Sequence, residues 1–214
     1  MVSQTANDKR GRILDAAASI FAQHGFFHAR VTDIAKEAGV ADGTIYLYFK
    51  SKDDLLINLF EDRMDDIIAT FRGGLGEGLT AGQKLHRFIE LHLRLVEEEP
   101  ALAKVLTVEL RQSSKFMRDY QALKFGEYLD LLSDILDEGR ASGQFRTTID
   151  PRILKRVIFG ALDEVSLVWS STPQQRRERY ELADAATEIW NLCTGGILST
   201  AHRTNTDIAR GETA

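Results

Sequence analysis

The chain has 214 residues, a formal net charge of −5 and one cysteine, Cys193. This length allows one or two domains with a hydrophobic core, and the composition is ordinary for a globular protein. The acidic total excludes a protein that binds polyanions over its whole surface, and a single cysteine excludes an intrachain disulfide. The sequence has no apolar run of membrane-spanning length and no signal-peptide core, so we expect a cytoplasmic protein without a membrane partner.

Charge is unevenly distributed along the chain. Residues 1–52 carry seven Lys and Arg against five Asp and Glu, so the acidic excess belongs to the remainder. A mildly basic amino-terminal unit on an acidic body fits a DNA reader whose larger part has another task. Only three prolines occur and period-two alternation is scarce, so we predict an all-α fold.

The beginning of the chain predicts a tail and one helix. Residues 1–7 are polar and are predicted to form a flexible tail. The stretch 8–24 has apolar residues on one helical face and ends at Gly25. Phe26 and Phe27 follow, and we predict that both fill the core of the amino-terminal unit.

The stretch 31–52, VTDIAKEAGVADGTIYLYFKSK, contains two short helices around a tight turn. The first, 31–38, has apolar residues at i, i+3, i+4 and i+7, and Gly39 follows where helices commonly end in a left-handed residue. A turn containing Gly43 leads into the second helix, 44–49. This layout predicts a helix-turn-helix over about 31–50.

The next helix begins at Ser51, whose hydroxyl can cap the backbone while Asp54 stands three residues on, a variant of the capping box. The exposed side of the second short helix offers backbone, hydroxyl and ammonium groups of the kind that contact DNA phosphates. These groups belong to Gly43, Thr44, Tyr46, Tyr48, Lys50 and Lys52.

The segment IAKEAGVADGTIYLYFKSKDDLL closely resembles the signature of TetR-family transcriptional regulators. The resemblance implies a TetR-like fold, in which a three-helix DNA-binding unit precedes a larger helical domain for ligand binding and dimerisation. It also implies that Tyr46 and Lys52 contact phosphates. Arg30 and Ala41 depart from the family pattern, which has capping hydroxyls there, and we expect Arg30 to contact phosphate and Asp42 to replace the cap. The predicted DNA-binding residues are Arg30, Thr32, Ala41, Asp42, Gly43, Thr44, Tyr46, Tyr48, Lys50 and Lys52.

Six further helices are predicted after this motif, and the glycines of 73–78 mark the clearest boundary. Asp150 and Pro151 give a strong helix start. We therefore predict a DNA-binding domain over 8–68, a ligand-binding and dimerisation domain over 73–200, and a second flexible tail over 201–214. The predicted helices are 51–72, 80–99, 101–112, 115–142, 151–171 and 180–198.

The last two of these helices are apolar on more sides than one buried face needs. They could form a thick monomer core or, as the resemblance implies, a four-helix bundle between two chains. A dimer also suits a helix-turn-helix, because two recognition helices one DNA turn apart read a palindrome. The predicted interface residues are Leu162, Val165, Trp169, Ile189 and Trp190.

Polar residues interrupt the apolar faces of the middle helices, as they do in ligand pockets. The segments VLTVELRQSSKFM, DEGRASGQF and VIFGALDEVSLVW resemble the FadR-type branch of the TetR family. That resemblance implies a repressor of fatty-acid degradation that long-chain acyl-CoA releases from a double-stranded DNA operator, with no cofactor beyond this effector. Candidate ligand contacts, mostly cations for CoA phosphates, are His92, Lys104, Arg111, Gln112, Lys115, Arg118, Tyr120 and Lys124.

The sequence also suggests two alternative functions, an enzyme and a repressor with a different ligand. An enzyme could use His92 with Glu109 as acid and base and Ser113 or Cys193 as nucleophile. The sequence has no nucleophile elbow, P-loop, dinucleotide fingerprint or metal-ligand spacing, so we predict that it is not an enzyme and holds no metal. A TetR-family repressor of an efflux or other operon, responding to a different lipophilic ligand, stays open because carboxylates such as Asp163 could bind a cationic ligand.

Overall fold

The computed structural model describes residues 2–113, 116, 123–172 and 181–197. The elements in these ranges are helical, which confirms the all-α prediction. None of the described helices is long and apolar enough to cross a membrane. The elements are α1 (Val2–His28), α2 (Val31–Glu37), α3 (Asp42–Tyr48), α4 (Lys52–Gly74), α5 (Ala81–Glu98), α6 (Pro100–Lys104) with a π turn (Val105–Glu109) and a 3-10 turn (Leu110–Gln112), α7 (Leu123–Ala141), α8 (Pro151–Ser171) and α9 (Leu182–Ile197).

The chain divides into two compact units. Unit 1 comprises residues 1–67, 98–124 and 166–177, and unit 2 comprises 68–97, 125–165 and 178–214. The predicted domain boundary at the glycine segment stays a prediction, while α6 and its two turns group by contacts with the amino-terminal helices in unit 1. The tail predicted over 1–7 is instead part of α1, which begins at Val2 rather than at residue 8. The second predicted tail, 201–214, lies outside the described residues.

Unit 1 has a core built by α1 to α4. Its largest fully buried side chains include Phe21 from α1, Ile34 from α2, Ile45 from α3 and Phe49 just after α3. Burying such side chains is the main favourable term that holds short helices in place, because two-turn helices are marginal alone. These core contacts fix which side of α3 faces outward.

The ends of the unit 1 helices follow most of the predicted signals. Gly25 breaks α1 with φ 75° and ψ 156°, and one last turn runs on to His28. The Ser51 hydroxyl accepts the Asp54 N–H (3.1 Å), and the Asp54 carboxylate accepts the Lys50 N–H (2.8 Å), so the predicted capping-box variant is present with its return bond shifted by one residue.

The predicted helix over 101–112 is not a continuous α-helix. It passes from an α-helix to a π turn and then to a 3-10 turn. Thr107 gives a physical reason, because its hydroxyl donates to the Ala103 carbonyl (2.7 Å), the acceptor that the Thr107 amide would use in an α-helix. Competition for that carbonyl favours a widened turn at this place.

Unit 2 contains an aromatic cluster, which we define as Phe71, Phe88, Phe125, Tyr128 and Phe159. Ring centroids of neighbouring members lie 5.0 Å (Phe71–Phe88) to 6.4 Å (Tyr128–Phe159) apart, mostly in edge-to-face geometry, which is the favoured arrangement of aromatic pairs. The predicted start of α8 is confirmed, since the Asp150 carboxylate accepts the Arg152 N–H at 2.9 Å.

Candidate DNA-binding and effector sites

The helix-turn-helix predicted from the sequence is present in unit 1. Helix α2 ends before Gly39, whose φ of 64° turns the chain toward α3. Ile34 and Ala35 of α2 and Ile45 of α3 are buried, so each helix keeps one side in the core. The opposite side of α3 is therefore presented to the exterior as a recognition surface.

Two large side chains of α3 are exposed, Tyr46 at 59% and Leu47 at 82%. Thr44 and Tyr48 are half-buried, and the ring centroids of Tyr48 and Phe49 lie 6.3 Å apart. The other predicted contacts that are exposed are Arg30, Thr32, Ala41, Asp42, Gly43 and Lys50.

Leu47 was missed by the sequence analysis, which looked for polar groups. The signal was available, because Ile45 and Phe49 are one helical turn apart and both buried, which leaves Leu47 on the outer side. An exposed leucine on a recognition surface suits apolar contact with a thymine methyl group in the major groove.

The two departures from the family pattern leave helix starts without side-chain caps. Arg30 precedes α2 and Ala41 precedes α3, and neither side chain makes a capping hydrogen bond. Asp42, expected to replace the cap, lies in the first turn of α3, where its charge faces the positive end of the helix.

Gly43 stands in open space, because a Cβ built on it would meet nothing within 4 Å. The protein itself therefore does not need glycine there. We expect Gly43→Ala to raise the free energy of unfolding by about 0.5–1 kcal/mol, since glycine disfavours helix. We also expect the same change to weaken operator binding several-fold, because the added methyl group occupies space that a phosphate needs. Thermal shift measures the change in stability, and fluorescence anisotropy measures the operator affinity. Unchanged operator affinity would remove Gly43 from the contact surface.

Lys52 has a different environment from the one predicted. Its ammonium group donates to the carbonyls of Phe26 (2.7 Å), Phe27 (3.1 Å) and Ala29 (3.1 Å), and lies 4.8 Å from the centre of the Phe26 ring. The group thus satisfies the carbonyls at the end of α1. Phe26 is buried as predicted, whereas Phe27 is exposed and does not fill the core.

The unit 2 candidate for effector binding is His92. Its Nδ1 and the Tyr128 hydroxyl share a 2.7 Å hydrogen bond beside the aromatic cluster. Burial lowers the pKa of His92 from 6.5 to about 4, while the charge of Asp163 acts in the opposite direction. Burial also raises the pKa of Tyr128 well above 10. At neutral pH the imidazole is uncharged, so it can hydrogen-bond an amide or thioester but supplies no cation for a phosphate.

The described effector candidates of unit 1 have protein partners or lie at the surface. The Lys104 ammonium donates to the Ala22 carbonyl at 2.7 Å, and Lys124 pairs with Asp65 at 2.8 Å. Arg111 is exposed, and the Gln112 amide donates to Glu109 at 3.0 Å. The remaining candidates, Lys115, Arg118 and Tyr120, lie outside the described residues.

The predicted interface residues divide between core and surface. Leu162 and Ile189 are buried within the chain itself, so they cannot meet a partner without repacking. Val165, Trp169 and Trp190 are half-buried, and the Trp190 ring lies 5.0 Å from that of His86. The correction has a physical reason: a helix that is apolar all round does not reveal from its sequence which side remains outside.

The groups considered for an enzyme have other roles. Burial raises the pKa of the Cys193 thiol to about 11, which disfavours the nucleophilic thiolate. The Ser113 hydroxyl donates to Asp53 (2.6 Å), and Glu109 accepts hydrogen bonds from Phe26 and Gln112. Within the described ranges, no group of three His, Cys, Asp or Glu side chains is placed to hold a metal ion.

A helix-turn-helix with an exposed recognition helix, on a chain with further long helices, defines a helical DNA-binding regulator. Residues 13–59 match the family of bacterial regulatory proteins called tetR, and residues 60–196 match the YsiA-like protein, C-terminal region. The chain belongs to the TetR family of bacterial transcriptional regulators.

Individual relatives indicate which members of the TetR family this chain resembles. The chain is 38% identical over 186 residues to the fatty acid metabolism regulator protein of Bacillus subtilis strain 168, covering 87% of this chain and 94% of that protein. It resembles the crystal structure of FadR from Bacillus subtilis in complex with stearoyl-CoA, with a TM-score of 0.79, 38% identity and coverage of 87% and 98%. For FadR from Bacillus halodurans the TM-score is 0.75, with 37% identity and the same coverage. These relatives confirm the predicted FadR-type resemblance and a regulator rather than an enzyme.

Proposed function

We propose that this chain is a cytoplasmic repressor of fatty-acid-degradation genes. As a dimer it binds a palindromic DNA operator, and a long-chain acyl-CoA releases it. The observation that carries this proposal is its similarity over 87% of its length to a FadR whose structure contains stearoyl-CoA. The exposed Tyr46 and Leu47 on α3 support the DNA-reading part of the proposal.

A dimer is supported by an apolar stripe on unit 2. We define this stripe as Ile153, Val157 and Ala161, which follow one another every four residues on α8 and are all exposed. Val157 is 60% exposed, and Leu192 on α9 is 78% exposed. Gly160 beside the stripe adds no side chain, so a second helix could approach closely. Exposed apolar surface on two long helices suits a two-fold contact with a second copy.

The chemistry of unit 2 is compatible with an acyl chain. The aromatic cluster is apolar, and the His92–Tyr128 pair supplies one uncharged polar point beside it. A site of this kind, apolar with few polar groups, is typical of lipophilic ligands. Arg111, which is exposed in unit 1, stays a predicted contact for the CoA phosphates, which need cations.

Release follows from a shift between two dimer shapes. One shape places the recognition helices one DNA turn apart, and the effector prefers the other. The effector lowers operator affinity only by the ratio of its affinities for the two shapes. Helix α4 begins directly after the recognition helix and contributes residues to both units, which makes it a suitable element to move in this transition.

The test is fluorescence anisotropy on an operator selected from random-sequence DNA, at fixed and stated salt because phosphate contacts make affinity salt-dependent. Adding stearoyl-CoA is expected to release the DNA, whereas free CoA and free stearate are not. Release by stearoyl-CoA alone supports both the reader and the effector class. Tight operator binding that acyl-CoA leaves undisturbed would contradict the effector and direct attention to another lipophilic ligand.

A further inference from the structure

A buried carboxylate joins the π turn after α6 to the helices that carry the DNA-reading surface. Glu109 is the last residue of that turn and is 3% exposed. Its Oε2 accepts the backbone N–H of Phe26 at 2.7 Å and the Gln112 side-chain amide at 3.0 Å. A buried carboxylate is tolerated when donors satisfy it, and removing one partner is costly.

The Glu109 carboxylate meets the chain at Gly25 and Phe26, where α1 is broken. Gly25 breaks α1 with a positive φ, which turns the Phe26 N–H out of the regular helical pattern. A Cβ at Gly25 would lie 3.4 Å from Glu109 Oε2 and 3.7 Å from Oε1. The positive φ would strain any other residue there, and a Cβ would stand in ordinary van der Waals contact with the carboxylate.

The same turn is held from its other side by Lys52. The Lys52 ammonium binds the carbonyls of Phe26, Phe27 and Ala29, while the Glu109 carboxylate binds the Phe26 amide. Lys52 opens α4, only four residues after Tyr48 ends the recognition helix. A continuous path of charge-assisted hydrogen bonds thus links the π turn, the end of α1 and the start of α4.

Ser113 adds a second, independent link from the same segment. It is fully buried, and its hydroxyl donates to Asp53 at 2.6 Å, one residue beyond Lys52. Glu109 of the π turn thus contacts the end of α1, and Ser113, four residues further on, contacts the start of α4. The register of the π turn therefore bears on the position of α3, which lies between these two elements in the chain.

We propose that Glu109 is a positioning residue for operator reading and that the π turn is the element with two arrangements. In the DNA-binding arrangement the π turn presents Glu109 to the Phe26 amide. Relaxation of the turn by one residue toward an α-helical register rotates Glu109 by about 100° and withdraws it. The link to the effector rests on the proposed function, since the effector would favour the withdrawn arrangement.

A positioning role for Glu109 predicts opposite changes in operator affinity and effector affinity, which a loss of stability does not. If Glu109 favours the DNA-binding shape, weakening its contact shifts the population toward the other shape, so operator affinity falls and effector affinity rises. The two fold-changes multiplied together equal the factor by which the equilibrium between the shapes shifts. A residue with only a structural role would lower both. The two binding constants together therefore separate a positioning role from a general loss of folded protein.

The variant for the test is Glu109→Gln, which keeps the size of the side chain and removes its charge. Glu99→Gln is the matched control, because Glu99 is an exposed glutamate at the start of α6. Operator affinity of Glu109→Gln is expected to fall about tenfold and stearoyl-CoA affinity to rise about tenfold, since the Phe26 N–H and the Gln112 amide lose a charged acceptor. The control is expected to match the wild type in both.

Hydrogen exchange decides the proposal without any effector. Peptides covering 25–31 are expected to exchange faster in Glu109→Gln, whereas those covering α5 stay unchanged. Ser113→Ala is the second variant, small enough to fold, and is expected to give the same opposed changes of about threefold. Equal operator affinity in wild type and Glu109→Gln, or a fall in both affinities, would overturn the proposal. A wild type that ignores stearoyl-CoA would instead overturn the proposed effector, and Glu109 would then be judged by operator affinity and exchange.

Discussion

Val157→Glu is expected to convert the proposed dimer into monomers and to abolish operator binding at concentrations where the wild type is saturated. The two-fold axis of a dimer would bring both copies of this glutamate into the apolar contact. An uncompensated charge buried in an interface costs about 3–5 kcal/mol, which corresponds to an increase in the dimer dissociation constant of roughly a thousandfold. Sedimentation velocity measures the dimer and anisotropy measures the operator.

The folded chain should tolerate this change, because Val157 is 60% exposed. Helical content by circular dichroism is therefore expected to stay at the wild-type level. Thr148→Glu is the control for added charge, since Thr148 is exposed between α7 and α8. A Val157→Glu protein that stays dimeric at nanomolar concentration would show that the apolar stripe lies outside the interface.

Lys52→Met is expected to destabilise the protein by about 2–3 kcal/mol while leaving the salt dependence of operator binding unchanged. The methionine keeps the apolar stem but removes the donor that three carbonyls share. The loss is read as a lower midpoint of urea unfolding at constant slope. The salt dependence is read as the slope of log affinity against log salt.

Lys50→Met is the matched comparison, because Lys50 is exposed and stands two residues away. If Lys50 contacts phosphate, this variant keeps its stability, and the slope falls by about two per dimer, one for each lost contact. The opposite outcome, in which Lys52→Met keeps full stability and lowers the slope, would place Lys52 on a phosphate as the family resemblance implies. The pair of variants thus separates capping from DNA contact.

The physics of the recognition surface was largely readable from the sequence. Helical periodicity orients a short helix when only one side is apolar, and Tyr46, predicted on the outer side of α3, is indeed exposed. Local signals also worked, since Ser51 with Asp54 and Asp150 before Pro151 act within one turn of the chain. Leu47 was not predicted because DNA contacts were expected from polar residues, although the same periodicity places it on the outer side.

The ligand and interface residues were harder to predict because their neighbours come from elsewhere in the chain. Lys104 and Lys124 look like free cations in sequence, yet each is paired by a group that folding brings close. Their distance from those partners along the chain leaves no local pattern. Selecting candidate cations by residue type alone therefore overestimates how many are available to a ligand.

The sequence alone determined most of the helices, the helix-turn-helix and the family, because these depend on periodicity, helix ends and a local motif. Only the tertiary structure decided that Glu109 meets an amide 83 residues away, that Lys52 holds the end of α1, and that Leu162 is inside while Val157 is outside. A buried polar group is satisfied by whichever donor packing supplies, and a helix apolar all round is oriented only by its neighbours. Such choices are made by three-dimensional contacts that a linear pattern does not contain.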